Sequence, residues 1–244
     1  MNTDAGSGSL WETHASWWIR EFTEGADPEY EEQIIPLALS ECGTSDRILD
    51  LGCGEGQITR RLMADGRTTV IGMDPTQNQL KVARQRGGSF VRGESVHLPF
   101  ASDSFDAVLA CLVFEHVRDL DQSISEIARV LVPGGRFCFF LNHPLLQTPD
   151  SGWIDDQFVD PPEQYWRIGA YLAEVERVEE VEKGVFIPFI HRPLSRYLNC
   201  LSSHGLALEW MSEPSPPAGF LARAPEYLEA ATIPRLLYMR LVRR

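Results

Sequence analysis

The chain predicts an α/β fold, a mostly parallel sheet with helices on both faces. Three observations predict it. Short apolar runs alternate with helix-period stretches between residues 47 and 142, and strands separated by helices pair in parallel. The first run, Ile48 to Leu51, passes straight into a turn carrying Gly52, Gly54 and Gly56, and a helical stretch follows. Glycine tolerates positive φ and lets a ligand approach the main chain, and open sheets of this kind bind ligands beyond the carboxyl ends of their strands. The third observation is bulk: 244 residues, 43% of them hydrophobic, can bury a full core in one large domain or two small ones.

The elements follow in order. Residues 1–9 are small and polar, expected to be mobile, with neither the basic start nor the apolar run of a signal peptide. Residues 10–22 place Trp11, Trp17, Trp18, Ile19 and Phe22 at roughly helical spacing, and a second helix is expected over 29–42. Both lie outside the alternation, so residues 1–43 read as a cap over the carboxyl edge of the sheet. Strands are expected at Arg47–Leu51, 68–73, 89–92, 104–111 and 136–141, with helices at 57–65, 77–86 and 119–130. The last helix stops at Pro133-Gly134-Gly135. Residues 44–142 therefore form the ligand-binding core. After Asn142 the rhythm breaks. Residues 143–192 mix proline, glycine, tryptophan and acids, and read as an insertion covering the site, with a hairpin or extended cover within 175–189. Residues 193–244 complete the core through a helix at 194–204 and strands at 206–211 and 236–241.

Composition narrows the function. A net charge of −13 argues against nucleic acid, whose phosphates need a basic face, and against anionic membrane. No stretch is long and apolar enough to span a bilayer. The cysteines (Cys42, Cys53, Cys111, Cys138, Cys200) are scattered, odd in number and without a C-x-x-C pair, which fits a reducing cytoplasm better than a disulfide framework. No histidine pair has metal-ligand helical spacing with an acid, so no metal is expected.

The glycine spacing then separates ligands. A dinucleotide turn reads G-x-G-x-x-G; here the third glycine comes one place early and Gln57 stands in the last position. No Lys-Ser or Lys-Thr follows, so it is not a P-loop. Asp74 closes the second strand, where a carboxylate can accept from both hydroxyls of a ribose. The same acid would serve NAD or cap the helix that follows. Asp106, near the start of the fourth strand, reads as structural.

Four segments taken together, D-L-G-C-G-E-G (50–56), R-G-E-S-V-H-L-P-F (92–100), S-F-D-A-V-L-A-C-L-V-F-E-H-V (104–117) and L-V-P-G-G (131–135), resemble the class I S-adenosylmethionine-dependent methyltransferases, over about residues 47–142. The resemblance implies a Rossmann-like, seven-stranded sheet with an antiparallel last strand, and S-adenosylmethionine as cofactor, released as S-adenosylhomocysteine. It places Asp50, Gly52, Cys53 and Gly54 around the methionine half and Asp74 on the ribose. Pro75 and Gln79 then flank the adenine. Glu94 and Ser95, standing where the family usually has Asp and Ala, read the adenine edge, and Cys111 lies beside the sulfonium.

His116, just past the fourth strand, is the first candidate base, because histidine titrates near neutrality; it could equally be a helix-start residue that orients Glu115 or the backbone. His143 is the second candidate, and His191 reads as a pin for the cover. The implied reaction moves a methyl group to an O, N or C atom of a small, partly apolar acceptor. That acceptor is expected under the cap and the insertion, against Trp153, Phe158, Tyr165 and Trp166, with Tyr171, Phe186 and Phe189 behind. The protein is expected to act as a monomer or homodimer. An NAD-dependent oxidoreductase, a non-catalytic module that binds S-adenosylmethionine, and a rearrangement driven by the cofactor's charge remain alternatives.

Overall fold

Strand β1 (Arg47–Leu51) shows how the sheet divides its core. Its residues alternate between faces, so Ile48 packs with one cluster and Leu49 and Leu51 with another. The computed structural model describes residues 7–223, 225 and 229–244. The sheet continues through β2 (Thr69–Asp74), β3 (Ser89–Arg92), β4 (Phe105–Cys111), β5 (Leu131–Asn142), β10 (Leu206–Ser212) and β11 (Leu236–Arg243), in the spatial order β10-β11-β5-β4-β1-β2-β3. Pairing is parallel among the first five strands, and β11 runs antiparallel to both β5 and β10. The expected seven-stranded sheet with an antiparallel last strand is therefore present, with β10 at the edge.

The same alternation runs through the central strands. Val108, Ala110, Phe137 and Phe139 face α5 (Leu120–Val130) and α6 (Leu194–Ser203), while Ala107, Leu109, Cys138 and Phe140 face α2 (Ile35–Glu41) and α3 (Gln57–Ala64). In α5, Leu120, Ile124 and Ile127 recur at helical spacing and are buried, and the Asp119 side chain caps the first turn by accepting from the Gln122 amide at 3.0 Å. Helix α4 (Gln77–Arg86) joins β2 to β3.

The structure alters several expected bounds. Helix α1 (Ser7–Phe22) begins three residues before the apolar spacing starts, and the expectation for residues 1–6 lies outside the described residues. The helix expected over 29–42 is divided into a π-helical turn, Tyr30–Ile34, followed by α2. The Pro133-Gly134-Gly135 turn sits inside the bounds of β5 as a bulge: Leu131 pairs with Phe105, and the register resumes only at Arg136 opposite Ala107. No helix begins at His116, which lies in the loop between β4 and α5. The insertion forms two separate hairpins, β6 (Gly152–Asp156) with β7 (Glu163–Arg167) and β8 (Val175–Glu182) with β9 (Val185–His191). A short helix, α7 (Ala218–Arg223), lies in the connection to β11 and carried no sequence signal.

Candidate functional site

The turn after β1 brings bare backbone to the carboxyl ends of the strands. Gly52 and Gly54 both adopt positive φ, +71° and +55°, a conformation that costs other L-residues energy. A Cβ on Gly52 would lie 2.3 Å from Val113, so the turn packs directly on the loop after β4. A Cβ on Gly54 would meet no atom closer than 3.7 Å, with Trp18 and Gln79 opposite it. That open side faces a cavity, and such concave, largely apolar sites take small molecules.

Asp50, Gly52, Cys53, Gly54, Pro75 and Gln79 line this cavity, as do Asp74 and Cys111. The carboxylate of Asp74 ties its walls together, accepting the Gly54 amide at 2.9 Å and the Thr76 amide at 2.8 Å. Asp50 accepts the Thr59 hydroxyl at 2.6 Å. Burial, and then the charges of Asp74 and Glu55, push its pKa up to about 6. Burial also raises Asp74. Glu55, 1% exposed, is clamped through one carboxyl oxygen by Arg60 and Arg86, each at 2.6 Å.

Two buried carboxyls, Asp50 and Asp74, thus converge beside Glu55, whose charge its two arginines neutralise, and among the described lining residues there is no lysine or arginine. A pyrophosphate would be repelled by this set; a ligand carrying positive charge would be attracted. Gln79 Oε1 is buried without a partner and stands 3.8 Å from the Cβ position of Gly54. A lone buried acceptor is costly until a donor reaches it. The acids, this orphan acceptor and the open cradle at Gly54 fit a cofactor that brings N–H donors and a cation.

The cap forms the other wall. Trp11, Trp18 and Tyr30 line the cavity, and the Tyr30 hydroxyl pairs with the Cys111 thiol. Helix α1 is fastened at both sides of the site. Glu12 accepts the amides of Gln77 and Asn78 at 2.7 and 3.0 Å, supplying the carboxylate that the first turn of α4 lacks. Trp17 donates to Glu182 on β8 at 2.7 Å. The spacing of Trp11 and Trp18 signalled one face of a cap over the sheet's carboxyl edge, and both rings line the cavity. Glu12 and Glu55 gave no signal beyond their charge.

A second cavity, about 920 Å³, opens on the far side of the same wall, between α1, the π-helical turn and β9. Trp11, Trp18, Tyr30, Leu112 and His116 line both cavities. His116 stands at the junction. Its Nδ1–H donates to the Pro188 carbonyl at 2.7 Å, which leaves Nε2 with the lone pair. The ring lies between Trp11, at 4.8 Å between centroids, and Phe189, at 4.9 Å. Burial lowers its pKa to about 4, so it is neutral at physiological pH. Its neighbour Glu115 is also buried. One oxygen accepts the Asn142 amide at 2.5 Å and the other has no partner; burial pushes the pKa up to about 7.

Three expected site residues are not brought to the first cavity. His143 is turned away and fully engaged: Nδ1 accepts the Leu145 amide at 3.1 Å and Nε2 donates to Glu213 at 2.8 Å, so no lone pair is left for a substrate proton. Glu94 is exposed, in a turn closed by its backbone pairing with His97. The Ser95 hydroxyl is bonded to Ser123 on α5 at 2.8 Å, and the following Leu98 amide is held by Glu126. The insertion's aromatics also differ from expectation. Phe158, Tyr165 and Phe186 are exposed, Tyr171 accepts the Leu194 amide through its hydroxyl at 3.0 Å, and Trp153 and Trp166 line a separate cavity. Phe189 alone of these lines the second cavity among the described residues. His191 donates to the Tyr171 carbonyl at 2.8 Å, which fastens β9 to the loop before β8.

Comparison with known proteins places this arrangement. Residues 49–139 match the Methyltransferase domain family. A crystal structure of an S-adenosylmethionine-dependent methyltransferase from Mesorhizobium loti is 30% identical, with a TM-score of 0.72, over 86% of this chain and 96% of that one. Methyltransferase GfsG of Streptomyces halstedii is 42% identical over 98 residues, 37% of this chain and 35% of that protein. A demethylmenaquinone methyltransferase of Thermobifida fusca is 32% identical over 157 residues, 57% of this chain and 64% of that protein. The chain thus spans about a third of the first curated relative and just under two thirds of the second.

Proposed function

The chain belongs to the class I S-adenosylmethionine-dependent methyltransferases, and from that premise we propose that it methylates an O, N or C atom of a small, largely apolar organic molecule. The observation that carries this reading is the meeting of two cavities at His116, one lined by acids and the other by aromatic rings. Asp50, Asp74 and Gln79 would hold the cofactor, with the Gly52 and Gly54 backbone closing around it. When bound, S-adenosylmethionine supplies a methyl group already activated by its sulfonium charge. The protein's share is placement and exclusion of water.

Trp11, Trp18 and Tyr30 separate the two ligands' sites from solvent on the cap side. His116, held neutral, accepts a hydrogen bond at Nε2 from the acceptor's nucleophilic O–H or N–H and so aims its lone pair. With a pKa of about 4 the ring is a weak base, so it takes the proton only as methylation makes that group acidic. Two relatives are named as demethylmenaquinone and 2-phytyl-1,4-naphtoquinone methyltransferases, which supports an aromatic, apolar acceptor. Asp50 beside the glycine turn and, among the described residues, the lack of a basic lining residue disfavour a pyrophosphate there.

Calorimetric titration tests the reading. S-adenosylmethionine and S-adenosylhomocysteine should bind, NAD should not, and Asp74→Ala should weaken both nucleosides by about tenfold or more, the scale of a charged hydrogen bond. Tight NAD binding with neither nucleoside bound at millimolar concentration would overturn it.

A further inference from the structure

A third cavity, about 470 Å³, lies behind the acceptor cavity. Its walls are Leu146, Trp153, Trp166, Phe220, Ala230 and Ile233, and Arg235 closes it toward the acceptor side, since Arg235 lines both spaces. The guanidinium is already paired with a carboxylate. It pairs with Glu29 at 2.9 and 3.2 Å and lies over the Phe220 ring at 4.1 Å. It therefore forms a neutralised partition rather than an anion site. Trp153 and Trp166 stand opposite each other across β6 and β7, with ring centroids 5.6 Å apart. The described walls are thus apolar apart from the Arg235 guanidinium, which Glu29 neutralises.

We propose that this cavity receives a neutral, apolar arm of the acceptor, reaching past Arg235. The inference rests on the methyltransferase reading for its other end, where the acceptor's nucleophile meets His116. It excludes acceptors whose far end is charged. An anion there would find Arg235 already paired, and Asp27 and Glu29 beside it in the acceptor cavity. It also assigns the tryptophan pair of the first hairpin a place in specificity that the acceptor cavity alone does not give them.

The test uses the full chain saturated with S-adenosylhomocysteine and four probes: phenol, 4-butylphenol, 4-octylphenol and 4-dodecylphenol, each below its micellar concentration. Affinity should rise with chain length once the chain passes Arg235, by up to about fourfold for each methylene buried. Ile233→Trp, which fills the cavity, should cost the longest chain that gains about tenfold or more and leave phenol within about twofold. Ala230→Leu is a smaller filling and should act in the same direction. If S-adenosylhomocysteine does not bind, the methyltransferase reading fails. If it binds but chain length adds nothing, or the filling variants keep the whole gain, the arm proposal alone fails.

Discussion

Lowering the pH from 7 to 5 should weaken S-adenosylhomocysteine binding about tenfold, and Asp50 should carry most of that loss. In the free protein, burial and the neighbouring Asp74 and Glu55 charges hold Asp50 at a pKa of about 6. A bound ammonium favours the ionised form. If it returns Asp50 to an ordinary value near 3.9, the shift is about two units, or roughly 3 kcal/mol of coupling. The sign follows from linkage: the free protein holds the extra proton, so acid competes with the cation and affinity falls as pH falls through 6. At pH 5 about ten of every eleven free carboxyls are protonated, and near pH 7 about one in ten, which gives the tenfold figure. Burial raises Asp74 in the same direction. Calorimetry in buffers of differing ionisation enthalpy should show about half a proton released at pH 6 and almost none at pH 8. Asp50→Asn should flatten both curves. Affinity independent of pH between 5 and 7, with no proton released near 6, would refute the cation-in-acid-cradle argument.

Two further predictions concern stability. Glu115 has a folded pKa of about 7, above its unfolded value, so its contribution is fully present below about pH 4.5 and is lost as pH rises through 7; the loss approaches roughly 3 kcal/mol. Thermal melts should fall less steeply between pH 5 and 8 in Glu115→Gln than in the parent, and equal slopes would count against a buried, raised carboxyl. Gly52→Ala meets both a positive φ and Val113 at 2.3 Å, and should cost about 2–4 kcal/mol in urea unfolding. Val113→Ala in the same chain should recover the steric part but not the backbone part, and an absence of any recovery would show that the contact is unimportant.

What could be read from the sequence was local. The strand–glycine–helix passage at Ile48–Gln57 is encoded by neighbours in the chain, and so are Asp74 at a strand end and the alternation of β8 with β9. Residues whose fate depends on distant partners were harder. His143 sits in an N-H-P run after β5, as a site histidine would, but its ring is engaged by Glu213, 70 residues on. Glu94 matched a motif position, yet its side chain is exposed in the turn that pairs it with His97. The insertion's aromatics were visible as composition, but period alone cannot say which face of a hairpin is covered. Trp153 and Trp166 therefore came out behind Arg235 rather than beside His116. Trp11 and Trp18, read as one face of a cap over the sheet's carboxyl edge, line both main cavities.

The wall held in common by the two main cavities limits how this enzyme could be retargeted. A substitution at Trp11, Trp18, Tyr30, Leu112 or His116 alters the nucleoside's surroundings and the acceptor's at once. Libraries meant to change substrate choice without sacrificing cofactor affinity should be confined to Gln147, Val181 and Ile187, which line the acceptor cavity and not the cofactor cavity.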